Sequence, residues 1–250
     1  MDILAVGAHP DDIELGCAGT LLAHSARGDQ ISMLVLTRGE RGPRGALSRT
    51  HEQESAARTL GATLYWGDYE DGEIDSGRSA VTLVERVMAD CGADTVYVHV
   101  PRDSHQDHRA AAMATLAAAR RTKRVLLYES PSTQAFSPTL FVDVAPHLEG
   151  KLAALRAHTS QIITDGLVDL EAVEAQARYR GFQARMRHAE AFESARMAWD
   201  LSVPDALVDE FELAETFAAS TVNRVAASRL SKEQGIILTQ LPGKVSHAAQ

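Results

Sequence analysis

Ala5-Val-Gly-Ala-His-Pro-Asp-Asp-Ile-Glu14 is the stretch on which the fold of this chain turns. Ile3–Val6 is a short apolar run with the pattern of a buried strand, and an apolar-periodic segment, Leu15–Arg27, reads as a helix. Between them a turn holds His9, Asp11 and Asp12. In open α/β sheets, sites form in the crevice outside the carboxyl ends of the strands. An imidazole and two adjacent carboxylates at the end of the first strand therefore mark either a metal site or a polar turn that caps the next helix.

Outward from this turn, strand and helix patterns alternate. Strands are expected at Ile31–Thr37, Thr63–Trp66, Thr95–Val100 and Arg124–Tyr128, with helices at Thr50–Leu60, Ala80–Asp90 and Asp107–Arg120 between them. The loop Arg38–Gly45 is too glycine-rich for either element. Alternation of this length implies βαβ units. The predicted fold is α/β, with a Rossmann-like, mostly parallel sheet flanked by helices. A later strand, Leu140–Val144, precedes helices near Leu148–His158 and Leu170–Arg187. The basic run Arg120–Arg124 sits at a helix end, where cations complement the helix dipole.

Composition narrows the function classes. The chain has 250 residues, 45% of them hydrophobic, enough for one large domain or one domain with an appendage. A formal net charge of −9 argues against nucleic acid or an anionic membrane as partner. Two cysteines, Cys17 and Cys91, suit a reducing cytoplasm, and neither a secretory signal nor a membrane span is expected. Dinucleotide binding is disfavoured as well. The first loop carries His-Pro-Asp-Asp where G-x-G-x-x-G would let backbone approach a pyrophosphate, and its carboxylates repel phosphate.

A second polar loop, Pro101-Arg-Asp-Ser-His-Gln-Asp-His-Arg109, follows the fourth strand. Right-handed crossovers gather such loops on one sheet edge, so Asp103, His105, Asp107 and His108 can meet the first cluster. Two imidazoles and a carboxylate form an open three-ligand site that suits catalytic Zn²⁺ or non-haem Fe²⁺, and ligand type does not choose between these divalent metals.

At this point the sequence resembles the PIG-L/LmbE family of zinc-dependent N-acetylglucosaminyl deacetylases. Ala8–Glu14 meets the family pattern A-H-P-D-D-x-E, and His105-Gln-Asp-His108 stands for H-P-D-H with glutamine in place of proline. Thr37–Glu40, Arg49–Glu52, the Asp71-Gly72 turn, Ala157–Gln161 and Ala189–Phe192 are similar to shorter family landmarks. Cys17-Ala-Gly-Thr20 departs from the usual glycine pair. The resemblance covers the chain to about Arg196.

It implies metal ligation by His9, Asp12 and His108, with Asp11 as the general base that takes a proton from water and returns one to the leaving amine. His105, expected as a protonated imidazole whose ring is held and whose charge is supported by Asp107, contacts the developing oxyanion; alternatively Asp107 is the outer partner of a ligand histidine. Glu40, Arg49 and Asp71 bind substrate hydroxyls, although Arg49 and Glu52 also have the spacing of a surface ion pair. His24, His51, His147 and His188 are expected at the surface, His99 is expected to be packed or hydrogen-bonded, and His158 at the rim or behind the ligands.

The implied partner is a small N-acetylated aminosugar conjugate, with a homo-oligomer possible. The alternatives are a metal-dependent amidase of another N-acyl substrate, a non-catalytic metal- or sugar-binding relative and, more distantly, an Fe²⁺ oxygenase. Residues 1–197 form the expected deacetylase domain and 198–250 a C-terminal extension. In the extension a helix opening at Pro204 and a strand-like run, Ile236–Leu241, pack on that domain or serve an oligomer partner or a lid.

Overall fold

β1 (Asp2–Gly7) pairs in parallel with β2 (Gln30–Thr37) on one side and β4 (Thr95–His99) on the other. The computed structural model describes residues 1–42, 45–164 and 168–198; the helix at Pro204 and the run Ile236–Leu241 lie outside the described residues. β3 (Thr63–Tyr69) extends the parallel sheet beside β2, and β5 (Arg124–Tyr128) extends it beside β4. The seven-stranded order is β3-β2-β1-β4-β5-β7-β6, with β6 at Leu140–Asp143 and β7 at Ala189–Met197.

β1 is buried on both faces because both faces are covered. Ile3 and Ala5 join one apolar cluster, Leu4 and Val6 the other, as the two-residue strand period requires. On the first face lie α1 (Asp12–Ala26), α2 (Gly45–Leu60) and α5 (Leu148–Arg156), contributing Cys17, Leu21, Leu60 and Ala154. On the second lie α3 (Arg78–Cys91) and α4 (Gln106–Ala118), contributing Val84, Val87 and Ala111. The chain leaves β1 toward β2 and β3, then crosses back to β4. The crevice where strand order reverses thus opens between the carboxyl ends of β1 and β4, the two strands that carry the polar loops.

Several details differ from the sequence expectation. The Ala189–Phe192 landmark is the first half of a nine-residue strand, β7, antiparallel to both β5 and β6. Its acidic and basic residues hide it from a hydrophobicity reading. α1 starts at Asp12 and α2 at Gly45, each before the expected residue, so Arg49 lies inside a helix. His24 and His188 are not surface residues. His24 bridges Asp29 (2.7 Å) and the Tyr97 hydroxyl (2.9 Å), and His188 is buried.

Glu190, on β7, is buried because it is fully partnered. Its carboxylate accepts the N–H groups of Gly19 (3.0 Å) and Thr20 (2.7 Å) of α1 and pairs with Lys151 Nζ of α5 at 2.5 Å. Lys151 also donates to Leu15 O at 2.8 Å. Close approach secures α1 on its other flank. A Cβ at Gly16 would sit 2.2 Å from the Tyr128 ring, whose hydroxyl donates to Val6 O at 2.7 Å.

Removing one partner of a buried ion pair leaves an uncompensated charge. Lys151→Met is therefore expected to lower unfolding stability by about 3–5 kcal/mol. Lys151→Met with Glu190→Gln is expected to lose less, as read from denaturant midpoints of the two variants.

Candidate active site

The turn after β1 sets two neighbouring carboxylates apart. Asp11 caps α1 in the left-handed conformation (φ 93°), a region that aspartate tolerates better than most residues, and Asp12 is the first helical residue. Their partners differ accordingly. Asp12 Oδ2 accepts the His9 N–H at 2.7 Å and lies 3.2 Å from His99 Nε2, while its Oδ1 lies 3.3 Å from His108 Nε2. The Asp11 carboxylate instead lies 3.5 Å from Arg49 Nη2.

α2 grips this turn with side chains one helical turn apart. Arg49 Nη2 donates to Pro10 O at 2.6 Å, and Gln53 accepts the Asp11 N–H at 3.2 Å while donating to Glu14 at 2.7 Å. Arg49 is buried, and its guanidinium packs where a side chain at Gly39 would be: a Cβ there would come 2.5 Å from Arg49 Nη1. Glu52 is no surface partner of Arg49. Its carboxylate accepts from Thr159 Oγ1 and from both Ser160 N and Oγ, where the chain makes a π turn, Ser160–Thr164.

The loop after β4 faces that turn. His9 Nδ1 lies 3.4 Å from Asp12 Oδ2, and its Nε2 lies 3.0 Å from Asp107 Oδ2 and 3.2 Å from Asp71 Oδ1. His108 turns Nε2 to Asp12 and Nδ1 to Asp103 Oδ2, 3.2 Å away. Each histidine thus offers one ring nitrogen to the Asp12 carboxylate and the other to a different carboxylate. Metal-ligating histidines have this arrangement, because an outer carboxylate fixes the tautomer and orients the ring.

Among the described residues, three groups bring possible ligand atoms within 4.8 Å of one another: His9, His105 and His108; Asp12, His99 and His108; and His9, Asp71 and Asp107. The expected ligands His9, Asp12 and His108 are spread over these groups and meet at Asp12. The donor set, imidazole with carboxylate, fits Zn²⁺ or Fe²⁺. Asp107 Oδ1 and His99 Nδ1 are buried without a hydrogen-bond partner among the described residues, as befits a polar pocket built around more than protein.

His105 caps α4, its Nδ1 accepting the Asp107 N–H at 3.2 Å. Its ring stacks on His108 with centroids 4.6 Å apart, and His108 stacks on the fully buried His99 at 4.0 Å. The side chain of Asp107 is not on His105. It contacts His9 and accepts the Gly72 N–H at 2.7 Å, as the outer partner of a histidine would. Asp71 is in contact with His9, but Glu40 is exposed, accepts the Asp71 N–H at 3.1 Å and is not part of the cleft wall.

Titration follows from these contacts. Burial pushes the Asp11 carboxyl up to about 6, with Arg49 pulling it down and Asp12 pushing it up. Burial also disfavours charge on His108, yet Asp12 and Asp103 outweigh it and lift the imidazole to about 9. His99, buried beside His108, is pushed down to about 4. Burial and the neighbouring His9 and His108 lower His105 too, which disfavours the protonated imidazole expected there. With Nδ1 accepting, its proton is on Nε2.

The walls form an open cleft of about 680 Å³ that includes His9, Asp11, Arg49, Asp71, His105 and Gln106. Sequence reasoning missed Asp103 as a partner of His108, Gln53 as a holder of Asp11, and Ser130 and Ser132 beside His108 at 3.4 and 3.2 Å. The two serines follow β5, so the strand-end rule could have found them. Gln53 carries no such signal.

Residues 4–119 match the profile of the PIG-L family, GlcNAc-PI de-N-acetylase. The uncharacterized deacetylase YaiS of Escherichia coli (strain K12) is 35% identical over 167 residues, covering 63% of this chain and 90% of that protein. Diacetylchitobiose deacetylase of Thermococcus kodakarensis is 28% identical over 189 residues, covering 65% of this chain and 71% of that protein. The crystal structure of a conserved protein from Thermus thermophilus is similar with a TM-score of 0.73 and 28% identity, over 82% of this chain and all of that one. The site and these likenesses define a de-N-acetylase, a hydrolase of amide bonds. The chain belongs to the PIG-L family. No helix among the described residues is long and apolar enough to cross a membrane.

His158 is fully buried and lies 3.6 Å from Glu14. Burial opposes its charge, and Glu14 reverses this to raise it above its ordinary value of 6.5. A raised histidine stabilises the fold fully below its unfolded value and ceases to do so as pH rises through its folded one. The stability gap between wild type and His158→Gln should therefore be widest at about pH 6 and narrow as the solution becomes alkaline. Denaturant titrations across pH check this, and a gap independent of pH would contradict it.

Proposed function

We propose that this chain is a metal-dependent N-deacetylase. It hydrolyses the acetamide of an N-acetylglucosamine unit in a small glycoconjugate of the thiol-cofactor or natural-product type, releasing acetate and a free amine. The observation that carries the reading is the division of the aspartate pair. Asp12 lies between two histidines whose outer nitrogens are held by carboxylates, and Asp11 is a separate buried carboxyl raised toward neutrality. A raised carboxyl beside a hydrolytic centre is suited to accept a proton and give it back.

His9 Nδ1, Asp12 and His108 Nε2 would hold the ion, which when bound supplies Lewis-acid activation of water and of the amide carbonyl. Asp11 takes a proton from the attacking water and later delivers it to the amine nitrogen as the C–N bond breaks. Arg49 holds the Asp11 turn through Pro10 O and keeps the carboxylate in place. His105 donates its Nε2 proton to the developing oxyanion as a neutral imidazole. Asp107 acts from behind His9. Arg49 and Asp71 line the cleft within reach of sugar hydroxyls, and Glu40 supports Asp71 from outside it.

Residues 1–197 constitute the catalytic domain in this proposal, with 198–250 as an appendage. The cysteine usage supports a cytoplasmic location. The Thermococcus relative's substrate name, diacetylchitobiose, supports an N-acetylated aminosugar as the substrate class.

Protein stripped of metal is expected to release no acetate from a panel of N-acetylglucosamine conjugates and to recover with Zn²⁺ or Fe²⁺. Turnover of simple N-acyl amides but not of sugars would replace the substrate class. Asp11→Asn is expected to retain fold and metal while losing about 10²–10⁴-fold in kcat. Full turnover by that variant would remove Asp11 from its role.

A further inference from the structure

His108 Nδ1 has three oxygen neighbours, and they are not equivalent. Asp103 Oδ2 lies at 3.2 Å, Ser132 Oγ at 3.2 Å and Ser130 Oγ at 3.4 Å. A carboxylate only accepts. Ser130 and Thr133 hydroxyls donate to Asp103 Oδ2 at 2.8 and 3.2 Å, which commits the single proton of each. The other oxygen, Oδ1, accepts the His105 N–H at 2.8 Å. Asp103 is 2% exposed, and both of its carboxylate oxygens are met by donors.

The loop after β5 keeps it there. An isolated bridge pairs Asp103 with Thr133, Ser104 N donates to Ser132 O at 3.1 Å, and Gln134 N donates to Arg102 O at 2.9 Å. His9 has the opposite arrangement. Its Nε2 faces Asp107 and Asp71, and its Nδ1 faces Asp12. Two histidines around one carboxylate must therefore be held in opposite tautomers, and no single backbone feature does this for both.

The geometry points to Asp103 as the positioning residue of the centre. It keeps the proton of His108 on Nδ1, so that Nε2 presents its lone pair beside Asp12 to a divalent cation. Asp103 reaches the cation position through the His108 ring, while its other oxygen holds the His105 backbone at the start of α4. The inference rests on the reading of His108 as a ligand. Ser130 and Thr133 stand behind it, supplying the hydroxyl protons that keep the Asp103 carboxylate turned toward the ring. In Asp103→Asn the side-chain amide can turn its NH₂ toward Nδ1, which favours the proton on Nε2 and blocks the ligating atom.

The test uses full-length protein and Zn²⁺ alone, with dissociation constants from chelator competition for wild type, Asp103→Asn and His108→Ala. Ring nitrogen NMR shifts of the metal-free wild type, at a pH where His108 is neutral, report its tautomer. Outer-partner changes of this kind cost about 10–100-fold in metal affinity. The expected result is Nδ1–H on His108 in wild type, weakening of that size in Asp103→Asn, and larger weakening in His108→Ala. Normal affinity in Asp103→Asn with weakening in His108→Ala overturns the inference and leaves the ligand reading standing. Normal affinity in both variants overturns the ligand reading itself. If Asp103→Asn does not fold, the wild-type spectrum decides, and Nε2–H on His108 refutes the inference.

Discussion

The Asp12 carboxylate is the contact on which the rest of this structure depends. It opens α1, where a negative charge is favoured by the helix dipole, and it accepts the N–H of His9 from its own turn. From that position it reaches His108 and His99, which come from a different strand and helix. A buried carboxylate of this kind is tolerable only with many partners. Burial would raise Asp12, and the imidazoles of His108 and His99 hold it well below the usual carboxylate range. The parallel sheet makes this possible by placing the carboxyl ends of β1 and β4 side by side.

A site built on the first turn of a helix is only as rigid as that helix. α1 has little propensity of its own to stay put, with glycines at 16 and 19, so other elements fasten it. β7 and α5 do so through Glu190 and Lys151, β5 through the Tyr128 ring over Gly16, and α2 through Gln53 on Glu14. The same tyrosine lies against His99, with ring centroids 4.7 Å apart. Packing of the core and placement of the ligands thus share residues.

What could be read beforehand depended on the range of the interactions. The five parallel strands were legible because each carries a short run of apolar and β-branched residues between helix patterns, even β3, which is only half-buried. β7 was not, because Glu190 is stabilised by partners at Gly19, Thr20 and Lys151 that no local pattern displays. Arg49 and Glu52 have the spacing of a surface pair, yet they face the Asp11 turn and the π turn near Ser160, since α2 is packed between them. Asp107 follows His105 by two residues but its carboxylate serves His9, ninety-eight positions away.

The sequence by itself determined the fold class, the two polar loops and the chemical kinds of side chain they carry. Strand period, helix period and motif spacing are local quantities, set by covalent geometry and hydrophobic burial. Tertiary structure alone decided which nitrogen of each histidine looks inward, which carboxylate stands behind it, and that Asp11 is raised while Asp12 is lowered. Those outcomes arise from desolvation and from charges brought together across the sheet, and neither exists until the chain has folded.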